Sequence, residues 1–81
     1  MELVLYGRDG CHLCDQMLEE LEECLRGRVP VRVVDVDASP VLRERHGPRV
    51  PVLELDGEEL CYGRLDGSAA RRLTAALSGR D

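Results

Sequence analysis

The chain has 81 residues, enough for one domain (residues 1–81) with a modest core, and it contains neither Trp nor Phe. That core must come from Leu, Val and Ala, with Tyr6 or Tyr62 contributing. The formal charge is −5 with 33% charged residues of mixed sign, which argues against general nucleic-acid binding.

No apolar run approaches about 18 residues and no signal-peptide pattern opens the chain. The initial Met argues against a removed leader. The expected setting is therefore cytoplasmic, with no membrane contact. Glu2 to Tyr6 reads as a first strand, a short apolar run suited to burial on both faces. Gly7-Arg8-Asp9-Gly10 is loop. A first helix runs from near Cys11 to near Leu25, with Gly27 as its stop. Cys14, Met17, Leu18, Leu21, Cys24 and Leu25 recur at steps of three and four and should share one face. Glu19, Glu20, Glu22 and Glu23 fall mostly on a solvated face.

Val31 to Val36 is a second strand, parallel to the first through a right-handed crossover. Ser39-Pro40 supplies a cap and a first helical position for a short helix from Pro40 to His46, which Gly47 ends and Pro48 keeps from continuing. Val50 to Leu55 is a third strand, Asp56-Gly57 a hairpin turn, and Glu58 to Tyr62 a fourth strand. In that strand Leu60 and Tyr62 should face one way, Glu59 and Cys61 the other. Gly63 to Asp66 turns into a last helix near Gly67 to Leu77, packed through Ala69, Ala70, Leu73, Ala76 and Leu77. The order is β-α-β-α-β-β-α, an α/β chain with a parallel half and an antiparallel hairpin, covered by helices on both faces.

Cys11 and Cys14 form C-x-x-C where a strand turns into a helix. Unpaired N–H groups gather there and favour negative charge, and the thiolate is the attacking form of cysteine. Two thiols at this spacing reach one sulfur centre. Cys11, exposed at the tip, is assigned as nucleophile, and Cys14, one turn down and shielded, as resolving thiol. Arg8 lies near enough in sequence to add positive charge, whereas Asp15 acts in the opposite sense if it points inward. A half zinc site would need a second C-x-x-C or an H-x-x-x-H, and neither follows, so no metal is expected. The remaining thiols, Cys24 and Cys61, are read as structural. A bridge between them would need Cα atoms within about 7 Å.

The stretch Leu5-Tyr6-Gly7-Arg8-Asp9-Gly10-Cys11-His12-Leu13-Cys14 resembles the opening of the glutaredoxin group of the thioredoxin-fold superfamily, closest to small bacterial glutaredoxin-like domains with C-H-L-C. Arg49-Val50-Pro51-Val52-Leu53, Asp56-Gly57 and Tyr62-Gly63-Arg64-Leu65-Asp66 resemble that family's second half. The resemblance spans nearly the whole chain. It implies a thioredoxin fold, a four-stranded mixed sheet flanked by helices, with Pro51 in the cis form. It also implies that the Val50 backbone pairs with an extended substrate. The family's usual C-P-Y-C is replaced by His12-Leu13, its Thr by Arg49, and its Gly-Gly by Gly63-Arg64. The redox site thus carries over better than the glutathione site. Arg49, Arg64 and Asp66 are candidates for contacts to glutathione's carboxylate and amine.

The other polar residues divide between site and scaffold. His12 either stabilises the thiolate or faces solvent, and Leu13 is expected at the rim as an apolar substrate contact. His46 is expected to meet its helix dipole or solvent. Tyr6 either lines the site or packs in the core. The leading function is a dithiol–disulfide oxidoreductase, a monomer acting on a disulfide-containing protein or on glutathione disulfide. No tightly bound cofactor is expected, and glutathione is a candidate co-substrate. Two alternatives stay open: an iron–sulfur-cluster or glutathione-binding protein without turnover, ligating through Cys11, and a non-catalytic interaction module.

Overall fold

The computed structural model describes residues 1–78. Strand β1 (Leu3–Gly7) leads into helix α1 (His12–Leu25), then strand β2 (Val31–Asp35) and helix α2 (Pro40–His46). The hairpin β3 (Val52–Leu55) and β4 (Glu58–Tyr62) follows, and helix α3 (Gly67–Ser78) closes the described chain. The sheet order is β2-β1-β3-β4. β1 pairs parallel with β2 and antiparallel with β3, so the parallel pair and the hairpin join between β1 and β3, the two inner strands.

The two faces of the sheet are built differently. Leu3, Leu5, Leu53 and Cys61 join Met17, Leu21 and Leu25 of α1 and Ala69, Leu73 and Leu77 of α3 in one apolar cluster. Each fully buried Leu or Met there contributes about 1.5–3 kcal/mol, a large part of a small domain's stability. On the other face the Tyr6 ring stacks on His46 at 4.3 Å between centroids. His46 is only 5% exposed, with Nε2 4.0 Å from Glu54 Oε2. The Tyr6 hydroxyl donates to Glu54 Oε1 at 3.4 Å.

Several elements depart from the sequence expectation. His46 faces the sheet rather than solvent, because the last turn of α2 lies over Tyr6. Cys24 is exposed, one step off the buried seam of Cys14, Met17, Leu21 and Leu25. The expected alternation in β4 fails at a register shift, where Leu53 opposes Cys61 but Glu54 opposes Glu59. Leu60 is the extra residue of this bulge, so Leu60 and Cys61 both pack toward the apolar cluster while Tyr62 stays exposed. β2 ends one residue early, and a 3₁₀ turn over Val36–Ala38 follows, capped by Asp35. Beyond α2 the chain winds on as a 3₁₀ turn over Gly47–Arg49. Pro48 is tolerated there because the first residues of a helical turn need no N–H partner. β3 begins at Val52 rather than Val50, after the Val50–Pro51 peptide, which is cis.

Candidate functional site

The loop after β1 turns back through an Arg8 carbonyl that accepts from the Cys11 N–H at 3.4 Å. Gly10 sits at φ +75°, a backbone state that suits glycine. Cys11 then takes an extended conformation as the N-cap of α1. Its carbonyl accepts the Asp15 N–H at 3.2 Å, and its Sγ accepts the Cys14 N–H at 3.1 Å. The sulfur therefore occupies the place that a Ser or Asp oxygen takes at other helix starts.

Cys11 and Cys14 are joined as a disulfide with Cα atoms 5.2 Å apart. Cys11 is half-buried, whereas Cys14 is 7% exposed. Cys14 lies against Gly7, where an added Cβ would come within 3.1 Å of its sulfur. Glycine at the end of β1 is thus what lets the first turn of α1 settle onto the sheet. His12 and Leu13, between the cysteines, are both exposed, and so is Asp15, which points outward.

The opposite wall is the cis Val50–Pro51 segment. Val52 pairs with Tyr6, so Pro51 stands level with Gly7 at the same end of the sheet as the cysteines. The Gly63 N–H donates to the Pro51 carbonyl at 2.8 Å, which ties the loop after β4 to this wall. Two arginines near this end of the sheet are tied to partners elsewhere in the fold. Arg8 grips Asp37 through Nε (3.2 Å) and Nη2 (3.0 Å) and reaches the Gly47 carbonyl at 3.4 Å. Arg49 pairs with Glu59 and lies over the Tyr62 ring, 4.4 Å from its centroid. Their charges are answered within the scaffold, a role that sequence spacing alone did not reveal. Asp66 caps α3, its carboxylate accepting the Ala69 N–H at 2.8 Å.

The structure thus brings Cys11, Cys14, His12, Leu13, Val50, Pro51, Gly63 and Arg64 to one end of the sheet, and commits Arg8, Arg49 and Asp66 to structural partners. Tyr6 belongs to the His46 cluster on the far face. Among the remaining thiols, Cys24 and Cys61 are both free. Burial above all, then the nearby Asp66 and Glu59, pushes the Cys61 thiol up to about 11. Burial and Glu54 likewise raise Tyr6 above the usual phenol range.

A mixed four-stranded sheet in this order, with a C-x-x-C pair opening the first helix and a cis-proline beside it, defines a thioredoxin-like fold. Thioredoxin 1 from Thermosipho africanus superposes with a TM-score of 0.59 at 16% identity, covering 99% of this chain and 100% of that one, which speaks to fold alone. The sequence profile of the glutaredoxin-like domain (DUF836) matches residues 2–77. The chain belongs to that glutaredoxin-like family. A solution structure of protein Ne2328 from Nitrosomonas europaea is similar, with a TM-score of 0.78 and 33% identity over 89% of this chain and 88% of that one. An X-ray structure of the structural-genomics target XcR50 from X. campestris gives 0.73 and 39% over 98% and 99%. The uncharacterized protein Rv0508 of Mycobacterium tuberculosis is 35% identical over 72 residues, 80% of this chain and 73% of that protein.

Proposed function

We propose that the protein is a cytoplasmic dithiol–disulfide oxidoreductase, acting as a monomer. The observation that carries this reading is the Cys11 sulfur at the N-cap, accepting an N–H of the first turn, with Cys14 bonded to it from a more buried position. In the reduced protein the same N–H and the helix dipole favour the Cys11 thiolate.

That thiolate attacks one sulfur of a substrate disulfide. A Cys11–substrate bond forms, the substrate S–S bond breaks, and the first substrate thiolate leaves and takes a proton from water. Cys14, as thiolate, then attacks the Cys11 sulfur and expels the second substrate thiolate. Two electrons pass from the dithiol to the substrate, and the bridge between Cys11 and Cys14 is the product. His12 and Leu13 flank the attacked sulfur, and the Val50 backbone offers an edge to an extended chain.

A protein disulfide or glutathione disulfide is the electron acceptor in this reading. Glutathione as reductant would meet Gly63, Arg64 and the backbone at Val50. No helix among the described residues is long and apolar enough to cross a membrane.

Turnover of a disulfide substrate tests the assignment. Cys11→Ser should abolish it. Cys14→Ser should accumulate one equivalent of mixed disulfide, seen by intact mass. Normal turnover by Cys11→Ser would end the reading.

A further inference from the structure

Beside the cysteines lies a slot of about 520 Å³ between the first turns of α1 and the end of β4. Leu13, Met17, Tyr62 and Gly63 line it together with the polar Gln16 and the charged Glu20 and Arg64 of its rim. Leu13 is 50% exposed and Tyr62 56%, so two large apolar groups face solvent next to the redox pair. Leu13 lies between the two cysteines in sequence and Gly63 is bonded to the Pro51 carbonyl, so the slot's lining adjoins both the redox pair and the cis-proline wall.

Its charge is balanced. Glu20 and Arg64 offset one another, and the other nearby cation, Arg49, is answered by Glu59 and by the Tyr62 ring. Behind the rim, α1 carries Glu19, Glu22 and Glu23, and the chain as a whole carries −5. Each half of glutathione disulfide brings two carboxylates, one ammonium and no apolar side chain. It would meet one rim cation, one rim acid and a repelling field. A neutral or basic polypeptide meets no such penalty, and an apolar residue beside its cysteine would cover Leu13 and Tyr62.

We propose, resting on the dithiol reading above, that this slot selects polypeptide disulfides with an apolar side chain next to the cysteine. Glutathione disulfide is a poor substrate on the same account. Leu13 and Tyr62 are the specificity-determining residues.

The test is a single-turnover reaction of the reduced protein with three disulfides, following thiol release. Two are homodimers of end-capped peptides, Gly-Leu-Cys-Leu-Gly and Gly-Ser-Cys-Ser-Gly, and the third is glutathione disulfide. The leucine peptide should react about tenfold faster than the serine peptide, the scale on which apolar pockets discriminate, and glutathione disulfide should be slowest. In Leu13→Ser the ratio between the two peptides should fall toward one. Equal rates for the two peptides, glutathione disulfide matching the leucine peptide, or an unchanged ratio in Leu13→Ser would each overturn the proposal. Release from none of the three would overturn the dithiol reading itself, and this proposal with it.

Discussion

The mouth of α1 and the region around its last turn each hold cysteine, and they treat it in opposite ways. At the mouth, Cys11 is half-buried and its sulfur receives a backbone N–H, with Cys14 bonded beneath it. Near the far end, Cys24 is exposed among Glu20, Glu23 and Arg26, where carbonyls rather than N–H groups are left over. Cys61, on β4, is sealed in the apolar cluster and held protonated to about pH 11. Position along the backbone thus sets what surrounds each sulfur: a backbone N–H at the helix mouth, solvent near its last turn, and apolar side chains on β4.

Gly7 supports the helix-mouth cysteines alone. Gly7→Ala puts a methyl group 3.1 Å from the Cys14 sulfur, so that the first turn of α1 must give by a few tenths of an ångström, while touching neither Cys24 nor Cys61. Overpacking of this kind costs about 1–3 kcal/mol. Urea unfolding should register that loss. Reduced Gly7→Ala should also re-form the bridge between Cys11 and Cys14 more slowly, with alkylation of Cys24 unchanged.

A smaller effect is expected at Cys61. The folded Cys61 thiol lies above the ordinary thiol range, at about 11, so the folded state holds its proton more tightly than the unfolded chain does. Stability from this group is intact below the ordinary thiol range. It falls as pH climbs toward 11 and levels off beyond it. Tyr6 shifts in the same direction from the ordinary phenol range. The Cys61 share is therefore read as the difference in urea midpoint between the parent and Cys61→Ala at pH 8 and pH 10.5. The parent should lose more stability across that interval than the variant.

Much of this contrast was legible in the amino-acid order. The C-x-x-C pair between an apolar run and an amphipathic stretch located the N-cap sulfur, and Ser39-Pro40 and Asp56-Gly57 marked a helix start and a hairpin. At the hairpin, Asp56 and Gly57 both take positive φ, as a two-residue turn requires. The cis state of Pro51 followed from family resemblance and not from periodicity, since X-Pro bonds are mostly trans.

What escaped the sequence depends on contacts between distant segments. A bulge opposite Leu53 and Glu54 turned both Leu60 and Cys61 inward, which a strict period of two cannot express. His46 left solvent because Tyr6 offered it a ring face, and Arg8 and Arg49 found Asp37, Glu59 and Tyr62 far along the chain. Of the candidate glutathione contacts, Arg49 is paired with Glu59 and Tyr62 and Asp66 caps α3, whereas Arg64 lines the slot beside Leu13.

The rate of alkylation of fully reduced protein as a function of pH, with Cys11 resolved by peptide mass, tests the central claim most directly. A free thiol has its midpoint at about 8.5, and the helix mouth should move that of Cys11 distinctly lower, leaving it the fastest-reacting cysteine at pH 6.5. A Cys11 midpoint at or above the free-thiol value, with Cys24 reacting as fast, would contradict it.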